Sequence, residues 1–226
     1  TSSDTTSEST TGPSIDPDLL VWLRFEAPDR DAFANDGVLA GTASCTAGCP
    51  SVADCLATFD GVDDCLAYPH HDELVDTPVT LAAWVWSTLD SEGMFLLGKA
   101  TGDGSQNTWE LYLNHEILTG QRLGFEMYGP PDVAVSTPIT FGSWRHIAGT
   151  WDGSTLTSFV DGQQVGAADN TSTSFDEHAV QFGCDHDDEA DAYHFQGWFT
   201  DVRIYRRALD ATEVAELAAI VPADPG

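Results

Sequence analysis

The sequence predicts an all-β sandwich closed by one short C-terminal helix. Three observations lead there. Runs rich in β-branched and aromatic residues recur at intervals of roughly 8–15 residues from Leu19 onward, with Gly, Pro, Asn or Asp between them. Two Asp-Gly pairs, Asp152-Gly153 and Asp161-Gly162, separate such runs, and glycine supplies the positive φ that a tight hairpin demands. A single stretch, LDATEVAELAAI, carries a helical pattern. The length of 226 residues suits one large sandwich or two small domains.

Residues 1–18, TSSDTTSESTTGPSIDPD, come first, with Ile15 as their one large apolar side chain. Such a segment buries too little surface to offset its ordering entropy, so it reads as a Ser/Thr-rich acidic tail or linker. Self-association through this tail is the contact it offers. The domain is expected over 19–226. LLVWLRF (19–25) and VTLAAWVW (79–86) are strand candidates, followed by MFLLG, TWELYLN, RLGFEMYG and WRHIAGTW. WRHIAGTW, STLTSFV and QQVGAA, joined by the two Asp-Gly pairs, form a three-strand meander. In the final helix Asp210 caps the N-terminus, Glu213 stands at N3, and Val214, Leu217 and Ala218 share an apolar face.

Eight Lys+Arg against 37 Asp+Glu give a net charge of −29. Phosphate binding needs a basic stripe that releases counterions, so nucleic acid is excluded as a partner. Lys99 is the only lysine. No run of about 18 apolar residues exists, so membrane insertion is not expected. A hydrophobic content of 42% with seven Trp and eleven Phe supplies a core. Cys45, Cys49, Cys55, Cys65 and Cys184 contain no C-x-x-C pair. They read as two disulfides and one spare thiol with open connectivity, which places the chain outside the cytoplasm, secreted or on the cell surface.

LLVWLRFE leading into DRDAFANDGVL, then ATFDGVDDCL, VTLAAWVW, SWRHIAGTWDGSTLTSFVDGQQVG and GWFTDVRIYRRALDATEVAEL occur in this order. Together they resemble the laminin-G-like branch of the concanavalin A-like lectin/glucanase superfamily, over about Leu19 to Leu217. The resemblance implies a two-sheet antiparallel jelly roll that binds a glycan or a surface protein, adhesion-type, without catalysis. It also implies one structural Ca²⁺ where the first loop, the Asp60 hairpin and the last strand converge. The oxygen donors available there are Glu26, Asp29, Asp31, Asn35, Asp36, Asp60, Asp63, Asp64 and Asp201, with Glu26, Asp29, Asp36, Asp60, Asp63 and Asp201 as the expected ligands, a hard set suited to calcium. Where the family usually reads I-D-E-V, this chain has Phe199-Thr200-Asp201-Val202, so Asp201 is left as the acidic donor of that strand.

Aromatic side chains at strand ends or turns are candidates for stacking on sugar rings: Trp86, Trp109, Tyr112 and Tyr128. Trp84 and Trp86 share one strand face, with Trp84 expected in the core. His146 is expected to be packed rather than catalytic. The histidine- and acid-rich run CDHDDEADAYHF (184–195) reads as a solvated loop. Retaining glycoside hydrolysis needs two acids across a groove, and no E-x-D-x-E strand, G-x-S-x-G or P-loop pattern occurs. A hydrolase or lyase on the same fold, and a structural subunit of an extracellular assembly, are the alternatives to a binding module.

Overall fold

The computed structural model describes residues 15–26, 31–75, 78–87, 93–102, 106–113, 121–128, 133–171, 173–187 and 190–225. Along the chain the strands are β1 (Leu19–Leu23), β2 (Ser44–Cys45), β3 (Ser51–Ala53), β4 (Leu56–Asp60), β5 (Leu66–Tyr68) and β6 (Val79–Ser87). There follow β7 (Met94–Ala100), β8 (Asn107–Leu113), β9 (Arg122–Met127), β10 (Val133–Pro138), β11 (Arg145–Trp151) and β12 (Thr155–Val160). The last are β13 (Gln163–Asp169), β14 (Val180–Phe182), β15 (Asp185–Asp187), β16 (Ala190–Ala192) and β17 (Gln196–Tyr205), before helix α1 (Ala211–Leu217).

Two antiparallel sheets stack face to face. The first runs β13-β12-β11-β6-β17-β4-β3, with β1 pairing the second half of β17. The second runs β10-β9-β8-β7-β14-β5-β2, and β15 and β16 form a separate hairpin. Period-two alternation sends Leu81, Ala83 and Val85 of β6 into the core between the sheets, and in β17 a bulge at Asp201 shifts the phase so that Phe199, Val202 and Ile204 all face it. There they meet Leu111, Phe125 and Phe182 of the second sheet. The alternate residues of the first sheet face outward. Some of them, Ala82, Ala148, Phe159 and Tyr205, are covered by Leu209 and Val214 around α1.

The meander forms as expected, but its two Asp-Gly pairs turn differently. Asp161 and Gly162 both take positive φ, 51° and 75°, and make the two-residue hairpin turn between β12 and β13. Asp152 instead opens a three-residue loop, because its Oδ1 accepts from the Ser154 and Thr155 N–H groups, each at 2.8 Å. The helix start also follows expectation. Asp210 accepts from the Thr212 and Glu213 N–H groups, and Glu213 accepts from the Asp210 N–H in return.

Residues 1–14 lie outside the described residues. The last part of the expected tail is bound to the domain: Asp16 pairs with Arg207 at 2.9 Å and Asp18 with Arg206 at 2.8 Å. The disulfides are Cys45–Cys49 and Cys65–Cys184, with Cys55 free and exposed. Among the described residues no helix is long and apolar enough to cross a membrane.

Candidate functional site: a tryptophan face and its cleft

Five of the seven tryptophans gather on the outer face of the first sheet. Trp84 and Trp86 take outward positions of β6, Trp198 one of β17 and Trp22 one of β1, and Trp144 stands just before β11. Trp86 meets the edges of Trp144 and Trp198, with ring centroids 5.9 and 6.3 Å apart. Trp84 meets His146 at 5.4 Å. The other two tryptophans, Trp109 and Trp151, are inside the sandwich. Gly197 makes the close packing possible: its φ is 148°, and a Cβ there would stand 2.0 Å from the Trp86 carbonyl oxygen.

A cleft of about 610 Å³ opens on this face. Trp22 and Trp84, Arg24 and Arg203, Thr200 and Asp201 line it, with Cys55 at one rim and residues 220 and 222–225 along another. Arg24 and Arg203 lie over the Trp22 ring at 4.7 and 4.6 Å, two cation–π contacts that hold the indole in place. Asp201 Oδ1 accepts from Trp22 Nε1 at 2.6 Å and from Arg203 Nε at 2.8 Å. Burial works against the Arg203 charge, and the Asp201 carboxylate beside it outweighs that, so the guanidinium pKa is raised. Arg24 reaches Glu26 at 2.5 Å and Asp36 at 3.9 Å.

Two polar atoms under this face are orphaned. Trp84 Nε1 and His146 Nδ1 are buried without a hydrogen-bond partner among the described residues. Burial pushes the His146 imidazole down to about 4. The packed histidine is thus as expected. Trp84 is buried as expected, yet on the outer side of the sheet and beneath the cleft.

The expected calcium ligands do not converge. Asp29 lies outside the described residues. Asp60 pairs with Gln196 at the start of β17, and Asp201 is five residues further along that strand, roughly 16 Å at strand rise. A bulge at Asp201, with φ 51°, aims its carboxylate at Trp22 and Arg203 rather than toward Asp60. Glu26 and Asp36 are engaged by Arg24. Asp60 and Asp63 do come together, joined by Asp64 of the same hairpin: one carboxylate oxygen from each lies within 4.8 Å of the others. Asp64 is buried, and burial raises its pKa against the hydrogen bond it accepts from the Asp60 N–H.

The expected sugar platforms separate as well. Trp86 belongs to the tryptophan face. Trp109 is 1% exposed and presents no ring face to a ligand, because its position in β8 points inward. Tyr112 points to the outer side of the second sheet but is also buried, its ring laid over Gly124, where any Cβ would collide with it. Tyr128 is half-buried at the end of β9, its N–H bonded to the Asn107 carbonyl at 3.1 Å. Near Tyr112, Glu110 and Glu126 oppose each other across β8 and β9. Asn107 Nδ2 donates to Glu110 at 2.9 Å and to Asp185 at 3.0 Å.

Sequence reasoning missed Trp22, Trp144, Trp198, Arg24 and Arg203 as one site. The signal available was that Trp84 and Trp86 share a face. What it lacked was the pairing of β1, β6 and β17, which are far apart in the chain.

This architecture, two antiparallel sheets with an aromatic cleft on one outer face, defines a lectin-like sandwich. The model of the concanavalin A-like lectin/glucanases superfamily matches residues 60–215, and the chain belongs to that superfamily. Among solved structures it is similar to domain 4 of AbnA, a GH43 extracellular arabinanase from Geobacillus stearothermophilus, in complex with arabinotriose. That match has a TM-score of 0.71 and 18% identity, covering 88% of this chain and 98% of that one. It is also similar to the botulinum neurotoxin serotype G binding domain, with a TM-score of 0.68 and 11% identity over 88% of this chain. There the chain spans 50% of the other's length. The CBM40 domain of the Ruminococcus gnavus IT-sialidase, bound to alpha2,3 sialyllactose, matches with a TM-score of 0.54 and 16% identity, over 68% of this chain and 93% of that one. At these identities the likeness is one of fold. No curated protein matches the sequence.

Proposed function

We propose that this chain is a non-catalytic carbohydrate-binding module, and that its ligand is a neutral saccharide held in the cleft on the tryptophan face. The observation that carries the reading is a cleft lined by Trp22, Trp84 and paired arginine and carboxylate groups, beside three further tryptophans of the same sheet face. Sugar rings offer apolar C–H faces to indoles and hydroxyls to polar groups, and a mostly apolar concavity with a few placed polar groups suits them. Arg24 and Arg203 are each matched by a carboxylate, and Asp54 and Asp224 add two more acids to the lining. Two guanidinium groups against four carboxylates, in a chain of net charge −29, disfavour an anionic glycan. The similar domains captured with arabinotriose and with sialyllactose support glycan binding as the use of this fold. The two disulfides fit an oxidising, extracytoplasmic setting.

The test is affinity electrophoresis through gels carrying neutral polysaccharides such as arabinan, with an acidic polysaccharide in parallel. Retardation by a neutral polymer that is lost in Trp22→Ala supports the reading. Equal mobility of the two proteins in every neutral gel overturns it.

Structural calcium belongs to the same proposal. Asp60, Asp63 and Asp64 would hold the ion: three carboxylates meeting at one turn repel each other, and a hard divalent cation removes that cost. Adhesion as the biological use of the module rests on glycan binding in the same way.

A second reading, hydrolysis at the second sheet, draws on the Glu110–Glu126 register, since directly opposed strand residues have Cα atoms only about 4.5–5.5 Å apart. Release of reducing ends from a polysaccharide, abolished in Glu110→Gln, would establish that reading in place of the first.

A further inference from the structure

The Cys65–Cys184 disulfide joins the residue just before β5 to the residue just before β15, at the base of the β15–β16 hairpin. It lies apart from the tryptophan face. Both cysteines are fully buried. A third potential ligand meets them there: an Asp191 carboxylate oxygen and the two sulfurs all lie within 4.8 Å of one another. Asp191 is held from two sides. Thr46 Oγ1 donates to its Oδ2 at 2.7 Å, and His186 Nδ1 lies 3.0 Å from its Oδ1. Gln181 Oε1 stands 3.7 Å from Cys65 Sγ. Three separate elements, β2, β5 and the β15–β16 hairpin, thus bring two sulfurs, a carboxylate and an imidazole to one corner.

Two thiolates and a carboxylate with an outer hydrogen-bonding shell form a donor set for a borderline divalent cation of the Zn²⁺ class. Ligands oriented by outer partners, as Thr46 and His186 orient Asp191, are characteristic of such sites. The Cα atoms of Cys65 and Cys184 are 5.3 Å apart, so both sulfurs reach a common point without backbone displacement. We propose that this corner is a two-state site. Oxidised, it is a disulfide; opened by a dithiol reductant, it is a Cys65–Cys184–Asp191 centre for Zn²⁺ or a like cation.

The chemistry balances. The dithiol delivers two electrons and two protons to the disulfide and leaves as a disulfide itself. The sulfur–sulfur bond breaks and two thiols form. Metal binding then releases both thiol protons to solvent while two metal–sulfur bonds form. Either state ties the β15–β16 hairpin to the second sheet, so the corner stays closed across a change of redox conditions.

The experiment uses the full chain carrying Cys45→Ser and Cys49→Ser, so that a phosphine opens only Cys65–Cys184, and the reductant is then removed without air. Cd²⁺ is titrated in while the ultraviolet thiolate-to-cadmium charge-transfer absorbance is read, and Zn²⁺ is then added as competitor. One equivalent of Cd²⁺ is expected, displaced by Zn²⁺. The absorbance is expected to vanish in Cys65→Ser and in Cys184→Ser and to persist in Cys55→Ser. In Asp191→Asn the affinity is expected to fall by about 10- to 100-fold. Near-ultraviolet dichroism follows the fold throughout. The proposal is overturned if the reduced chain shows no charge-transfer band, or if the band survives in Cys65→Ser. It is equally overturned if Asp191→Asn binds like the parent, or if a reduced chain that has lost its dichroism does not recover it with Cd²⁺. None of these outcomes depends on glycan binding.

Discussion

Lowering the pH through the range from 6.5 to about 4 should destabilise this protein through one buried histidine. His146 is 2% exposed, faces Trp84, and has Asp201, Arg203 and Asp161 as charged neighbours. Burial outweighs the two carboxylates and lowers its pKa from 6.5 to about 4. The unfolded chain therefore takes up this proton near 6.5 and the folded chain only near 4, so the unfolded state binds more protons between those values. Stability is complete above the upper value and falls as pH drops through the window. At about 1.36 kcal/mol per unit, the loss by about pH 4.5 is roughly 2.5 kcal/mol. The assay is urea unfolding followed by tryptophan fluorescence at neutral pH and at about pH 4.5. His146→Phe serves as reference, because it keeps a ring against Trp84 and cannot titrate. Relief of repulsion among the acidic groups acts on both proteins and cancels in the difference. Equal loss of stability in the two proteins would refute the reasoning.

Other perturbations have definite outcomes. Asp201→Asn removes the charged acceptor shared by Trp22 and Arg203 and should cost about 1–3 kcal/mol in chemical unfolding, whereas unchanged stability would mean that this pair does not hold the cleft wall. If Asp60, Asp63 and Asp64 hold Ca²⁺, a hundredfold excess over Kd adds about 2.7 kcal/mol. That is a rise of several degrees in Tm relative to EDTA, and Asp64→Asn should abolish it; a melting curve indifferent to Ca²⁺ removes the site. Asp210→Ala deletes the helix cap and should cost about 1 kcal/mol, read by thermal melting, without altering the cleft. In strong acid a later step should follow, because the Asp176 carboxyl is held down to about 2, with hydrogen bonds from the His178 and Gly102 N–H groups outweighing burial. Its contribution is present above the ordinary carboxylate range and is lost as pH falls toward 2. Asp176→Asn should remove that step from an acid unfolding curve.

Local signals in the sequence translated well. Asp210 with Glu213 marked the helix start, Asp161-Gly162 marked a hairpin, and the alternation in VTLAAWVW put Trp84 and Trp86 on one side of a strand. Position across strands was harder to read. Asp60 and Asp201 looked like neighbours by resemblance, but the pairing of Asp60 with Gln196 and the bulge at Asp201 send them to different ends of β17. Period-two alternation does not say which side of a strand faces the core, so Trp109 passed for a surface ring and Trp84 for an inter-sheet one. The cleft itself was not legible. Its lining comes from β1, β6 and β17, and only sheet register brings Trp22, Trp84 and Arg203 together. Asp152 shows the same lesson on a small scale, since its side-chain hydrogen bonds decide the loop that the Asp-Gly pair alone left open.

The most direct measurement is a titration of the nitrogen-15-labelled protein with neutral oligosaccharides, including arabino-oligosaccharides, read at the indole N–H signals of its seven tryptophans. Saturable shifts at Trp22 and Trp84, extending to Trp86, Trp144 and Trp198, with Trp109 and Trp151 unmoved, are the predicted result. Shifts confined to signals away from this face, or none with any neutral saccharide while an acidic one binds, would contradict the account.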